Sequence, residues 1–253
     1  MSTTSSLDTE RRRQALTHLV EEQGSVSLSD AAGAFGVSEM TIRRDLLELE
    51  AAGLVRRVRG GAIPLPGPQR FSVRSNLQRE AKTIIAQKAV SLVPRSGAVA
   101  MDASTTVGAL VAALSGDAAL TVVTNSWENF SAARRAGFTN AILTGGHAEA
   151  STDSFVGPVA CRAAASMTYA ALFTSASGVQ ADLGSMDVSL PEAQVKQEFA
   201  RSAQRVVLLL DSSKIGERDV ARSFSWDQID LLVTELEPTD PRVASFNDVV
   251  EVK

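Results

Sequence analysis

The sequence predicts an α/β protein built in two parts of different texture. Three observations predict it. Residues 7–63 hold three helical patterns and then a basic, glycine-tipped hairpin. A proline-rich break follows at 64–70, and from residue 71 onward short apolar runs alternate with helical patterns. A chain of 253 residues is long enough for two modest cores.

In the first part, Leu7 to Gln23 reads as a helix with Leu16, Leu19 and Val20 on one face, stopped by Gly24. Ser27 is placed to cap a second helix, Leu28 to Phe35, with Asp30 at its positive end. After the tight turn "FGVS", Ser38 caps a third helix, Glu39 to Ala52, which turns Ile42, Leu46 and Leu49 inward and ends at Gly53. "LVRRVR" reads as a strand, Gly60-Gly61 as a hairpin tip and "AI" as the return.

Three helices with a tight turn before the third, and a basic hairpin behind it, describe a winged helix-turn-helix. That arrangement lays its third helix in the major groove of DNA and its wing along the backbone. The candidate contacts are Ser38, Met40, Thr41, Arg43 and Arg44 on the helix, with Arg56, Arg57, Arg59, Gly60 and Gly61 on the wing. Arginine grips phosphate or reads guanine with two donors, and the glycines let the tip come close. Position carries this reading, because the net charge is -4 and residues 1–70 hold nine basic and nine acidic side chains. A DNA coat of the polycation kind is excluded.

"PLPGP", Pro64 to Pro68, cannot sit within a helix or a central strand, so a linker is expected over 64–70, between a DNA-binding domain over 1–63 and a second domain over 71–253. There an amphipathic helix, about Val73 to Val93, precedes apolar runs at 98–101, 120–123, 141–143, 171–173, 205–210, 231–234 and 249–252. Strands alternating with helices mean parallel pairing with both faces of the sheet covered.

The turns after these runs carry small polar groups: Asp102 with Ser104, Thr105 and Thr106; Asn125 and Ser126; Gly145 and Gly146; and, after 205–210, Asp211 with Lys214. Ligands of open parallel sheets sit beyond the carboxyl ends of the strands, and hydroxyls with backbone amides at a helix start suit an anion. A small, hydroxylated, anionic molecule is the expected occupant. One cysteine, Cys161, and two histidines, His18 and His147, leave no disulfide framework or multi-cysteine zinc site, so neither metal nor cofactor is expected. No apolar run approaches the roughly 20 residues that cross a bilayer, and the expected location is the cytoplasm.

The stretch "VSEMTIRRDLLELEAAGLVRRVRGGAI" resembles the DNA-binding signature of the DeoR family of bacterial transcription regulators, and Phe71 to Lys253 resembles that family's sensor domain. The resemblance implies a sensor fold similar to sugar-phosphate isomerases, binding a phosphorylated sugar or a related metabolite. It implies phosphate contacts from Thr105, Thr106, Gly145, Gly146 and Lys214, and sugar-hydroxyl contacts from Asp102, Asn125, Glu192 and Lys196. Ser104 and Ser175 stand where the family has glycine, narrowing the space for a ligand. The resulting expectation is a repressor of a carbohydrate or polyol utilisation operon, released by its effector and acting as a homodimer or homotetramer on operator DNA. Two alternatives are a sugar-phosphate-converting enzyme with a DNA-binding appendage and a regulator that has lost ligand sensing.

Overall fold

The computed structural model describes residues 3–52, 54–64, 71–116, 119–149 and 152–253. It divides into two compact units, Met1–Leu77 and Gln78–Lys253.

The first unit runs α1 (Thr3–Gln23), β1 (Val26–Ser27), α2 (Leu28–Phe35), α3 (Glu39–Ala51), β2 (Val55–Val58), β3 (Gly61–Pro64) and α4 (Phe71–Asn76). Capping follows the residue chemistry. The Ser27 hydroxyl accepts from the amide of Asp30, and the Ser38 hydroxyl from the amide of Thr41, satisfying donors that a helix start leaves open. Leu16 and Val20 of α1, Ala31 of α2, and Ile42, Leu46 and Leu49 of α3 close one core with Val26, Val55 and Ala62. The three strands form an antiparallel sheet ordered β1-β3-β2.

Three expectations change here. The two-residue strand β1 was not readable from "VS", yet it pairs Val26 with Ala62 and Ser27 with Gly61. Pro64 closes β3 opposite Val55 instead of opening a linker, while the rest of 64–70, like Gly53, lies outside the described residues. The single helix expected over 73–93 is two helices, because Gln78 adopts the left-handed conformation (φ 51°) that interrupts helical bonding. The unit boundary falls at this break, so α4 belongs to the first unit.

The second unit contains α5 (Arg79–Val90), β4 (Gly97–Met101), α6 (Thr105–Ala113), β5 (Leu120–Thr124), α7 (Trp127–Arg135), β6 (Asn140–Leu143), β7 (His147–Glu149), β8 (Ser154–Val156), α8 (Gly157–Ala165), β9 (Ala171–Thr174), β10 (Gly178–Gln180), β11 (Gly184–Asp187), α9 (Leu190–Arg201), β12 (Val206–Leu209), β13 (Ala221–Phe224), β14 (Leu231–Val233) and β15 (Glu251–Val252). Each of the seven apolar runs is a strand of one parallel sheet, ordered β15-β14-β12-β9-β4-β5-β6. Alternate residues feed opposite faces. Val99, Met101, Phe173, Val207 and Leu209 pack with α5, α6 and α7, whereas Ala100, Leu172 and Leu208 pack with α8 and α9.

Strand order reverses between β4 and β9, since the chain goes from β4 out to β6 and then returns to β9 on the other side. Such a switch point leaves a crevice beyond the strand ends. A β7–β8 hairpin and a small antiparallel sheet, β10-β11-β13, complete the unit.

Candidate functional site

The first unit presents α3 and the β2–β3 wing. With Ile42, Asp45, Leu46 and Leu49 buried, α3 turns Met40, Arg43, Arg44 and Leu47 outward, and Ser38 is exposed at its start. Arg43 also lines a concave space of about 340 Å³ with Leu28 and Leu46 on one side and the wing residues Arg57, Val58, Arg59, Gly60 and Gly61 on the other. Arg56 and Arg59 are exposed. Arg57 is partly committed: its guanidinium lies 3.8 Å from Glu50, whose carboxylate also accepts from the Arg57 amide at 3.0 Å.

The two tip glycines have different reasons. Gly60 turns the chain at φ 89° in open space. Gly61 is needed for packing, since a Cβ there would collide with the Val26 carbonyl oxygen of β1. Its lack of a side chain serves close approach to the unit's own first strand.

Behind this surface lies an ion cluster that sequence reasoning missed. Asp45, 2% exposed, accepts from Arg12 Nε at 2.7 Å and from Arg13 Nε at 3.0 Å, fastening α3 to α1. Nothing in "ERRRQ" shows which arginines face Asp45, and only the tertiary fold reveals it. The outward arginines of α3 stay uncommitted by this carboxylate.

In the second unit, Asp102 lies at the switch point and is fully buried. Its Oδ1 accepts from the amide of Ser104 at 2.9 Å, and its Oδ2 from Thr174 Oγ1 at 2.7 Å and the Ser175 amide at 2.9 Å. Lys196 of α9 lies 3.3 Å from that Oδ2. Lys196 Nζ also donates to the Ser175 carbonyl at 2.8 Å and to Asp187 Oδ1 at 2.6 Å, and the Ser223 hydroxyl donates to the other Asp187 oxygen. Burial alone would raise the Asp102 pKa, but the Lys196 charge and the donors at Ser104, Ser175 and Thr174 outweigh it and hold the carboxyl below its ordinary range. Burial likewise opposes the Lys196 charge, and the carboxylates of Asp187, Asp102 and Glu192 reverse this, raising its pKa.

Lys196 thus spends two of its ammonium protons on Asp187 and the Ser175 carbonyl and pairs electrostatically with Asp102. Asp102 accepts three hydrogen bonds from its neighbours. In this structure the two residues join the turns after β4 and β9 to β11 and α9. Glu192 is buried in the first turn of α9, beside this network.

Among the described residues, Thr106 Oγ1, Asn125 Oδ1, Asn129 Oδ1 and Ser185 Oγ are buried without a hydrogen-bond partner. Asn129 bonds both the Asp102 and Ser104 carbonyls (2.7 and 3.2 Å), tying α7 to the β4 turn. Asn125 Nδ2 donates to the Phe155 carbonyl at 3.1 Å, and Ser126 caps α7 through the Asn129 amide. Thr105 is buried in the first turn of α6. Lys214 donates to the Ser175 hydroxyl at 3.0 Å and lies 3.4 Å from Asp211.

Gly145 is half-buried with open space around it, whereas a Cβ at Gly146 would stand 2.6 Å from the Val156 carbonyl oxygen. Ser104 takes an extended conformation and caps α6 through the Val107 amide, and neither it nor Ser175 has a positive φ. Both serines thus fit without backbone strain.

The chain matches the DeoR-like helix-turn-helix domain over residues 12–65 and the DeoR C terminal sensor domain over residues 77–236. It belongs to the DeoR family. This makes it a DNA-binding transcription regulator, and the winged unit is the family's DNA-binding domain. Members of the DeoR family are regulators and not enzymes, whatever the sensor fold resembles. Among its relatives are the HTH-type transcriptional regulator GlpR of Haloferax volcanii, 31% identical over 90% of each chain. The Lactose phosphotransferase system repressor of Streptococcus mutans is 28% identical over 95% of this chain and 98% of that one. The L-fucose operon activator of Haemophilus influenzae is 29% identical over 88% and 91%. Among the described residues no helix is long and apolar enough to cross a membrane.

Proposed function

We propose that this regulator acts in the cytoplasm as a homodimer or homotetramer, repressing a carbohydrate or polyol utilisation operon until a phosphorylated sugar or related metabolite releases it. The observation that carries the sensing half is the pair of buried, unpartnered oxygens, Thr106 Oγ1 and Asn125 Oδ1, at the strand ends beside the switch point. A buried acceptor without a donor costs stability, and a ligand hydroxyl supplies that donor. Thr105, Ser126, Gly145 and Lys214, from neighbouring turns, are the proposed partners for the phosphate end.

On DNA, the N-terminal half of α3 enters the major groove with Arg43 and Arg44 toward bases and phosphates, while Arg56 and Arg59 hold the backbone. One such helix covers too few base pairs for specificity, which is the reason for proposing an oligomer on a repeated or palindromic site. The effector works as a switch only by binding the DNA-competent and incompetent states with different affinity. Relatives named as a repressor and as an activator lie at similar distance, so the sign of regulation is part of the proposal.

Fluorescence anisotropy with the DNA upstream of the protein's own gene tests it, titrated with and without pooled sugar phosphates. Specific binding relieved by one pool is the expected result. Specific binding that no pool alters would remove the sensing half and leave a constitutive DNA-binding protein.

A further inference from the structure

The outward face of α3 is not uniformly polar. Met40, Arg43, Arg44 and Leu47 follow the i, i+3, i+4, i+7 spacing that puts four side chains on one stripe. Met40 is 65% exposed and Leu47 48%, although the same helix has a separate, fully used apolar face in Ile42, Leu46 and Leu49. An arginine pair bracketed by two exposed apolar side chains suits a surface with acceptors in the middle and apolar spots on either side. The DNA major groove offers this, because guanine presents two acceptors to arginine and thymine presents a C5-methyl group that only an apolar contact can read.

We infer that Met40 and Leu47 are specificity-determining residues that pack on thymine methyl groups flanking the bases contacted by Arg43 and Arg44. This rests on the operator-binding function proposed above. Phosphate contacts from the wing position the protein but carry no sequence information, so sequence choice falls to this stripe. The preferred half-site then contains thymines on both sides of a guanine-bearing step, one toward each end of the outward face of α3. Both side chains are exposed, so shortening either to alanine, the best helix former, leaves the core of the unit untouched.

The test begins by selecting preferred sites from random duplex DNA with the full-length protein. Each thymine of the selected site is then replaced in turn by deoxyuridine, which keeps the base pair and removes only the methyl group. Wild-type protein, Met40→Ala and Leu47→Ala are titrated against every duplex. The expected result is a loss of about fourfold in wild-type affinity at specific thymines, the worth of burying one methyl-sized group. At one of those thymines Met40→Ala should be indifferent to the methyl, and at another Leu47→Ala should be. Selected sites without thymine, wild-type binding indifferent to every methyl, or sensitivity retained in both variants would each overturn the inference while leaving operator binding intact. A selection that returns no preferred sequence would instead overturn operator binding and the inference together.

Discussion

Asp45 in the first unit and Asp102 in the second are both carboxylates buried beside cations, and they serve opposite ends. Asp45 in the first unit is held by Arg12 and Arg13, whose side chains remain 19% and 25% exposed and keep contact with water. Asp102 in the second unit is held by Lys196, itself 3% exposed, and by a hydroxyl and two amides. The first arrangement fastens two helices and leaves the outward arginines of α3 available to a polyanion. The second consumes its charges internally and joins the turns at the sheet's switch point, leaving neutral oxygens at Thr106 and Asn125 without partners.

The sharpest way to break this comparison is Asp102→Ala. It strands three donors and removes one carboxylate from a buried ammonium, which should cost about 3–5 kcal/mol of stability by chemical denaturation. A loss below about 1 kcal/mol would return Asp102 to the ligand-facing role read from the sequence. The pH dependence has a definite sign. The Asp102 pKa is lowered from 3.8 on folding, so its contribution is present above that pH and is lost as pH falls below it. The Lys196 pKa is raised from 10.5, so its contribution is full below that pH and is lost only as pH rises beyond it. Asp102→Asn should flatten the acid limb of a stability–pH profile; an unchanged limb would mean that other carboxylates govern it.

Asp45→Ala should cost less, about 1–3 kcal/mol, because Arg12 and Arg13 can turn to water once the carboxylate is gone. The readout is the unfolding of the first unit together with operator affinity, and both should fall. A stability loss equal to that of Asp102→Ala would erase the distinction between the two clusters.

The two clusters also show where sequence reading reaches and where it stops. The seven parallel strands were legible because apolar runs of three to six residues between helical patterns have few other uses. "HAE", "GVQ", "GSMD" and "ARSF" were not legible as β7, β10, β11 and β13, because their apolar residues neither run together nor alternate over enough length. Asp102 could be picked out as a strand-end carboxylate, but its partners Thr174, Ser175 and Lys196 lie 72 or more residues away. The arginines of α3 were legible since the helix period alone decides which way they face. Residues that act from the surface of one helix are readable locally, and residues that act through partners from distant elements are not.

Arg43→Ala should weaken operator binding by about 1–3 kcal/mol while changing stability by no more than about 0.5 kcal/mol, because its side chain is exposed. Comparable losses in both measurements would place Arg43 in the fold and not in the interface.

The smallest effect expected concerns Glu50, and its sign is informative. Glu50 and Arg57 are each about one-third exposed or more, so their pairing at 3.8 Å is worth at most about 1 kcal/mol, and less in salt. If the wing meets phosphates, that weak tie competes with DNA for Arg57, and the carboxylate itself repels the backbone. Glu50→Ala should then tighten operator binding by up to about 1 kcal/mol and steepen its salt dependence, as a released arginine adds a phosphate contact. The opposite result has an equally specific meaning. The Glu50 carboxylate also accepts from the Arg57 amide at 3.0 Å, so weaker binding would show that Glu50 sets the position of β2 and that wing geometry, more than the count of free arginines, limits affinity.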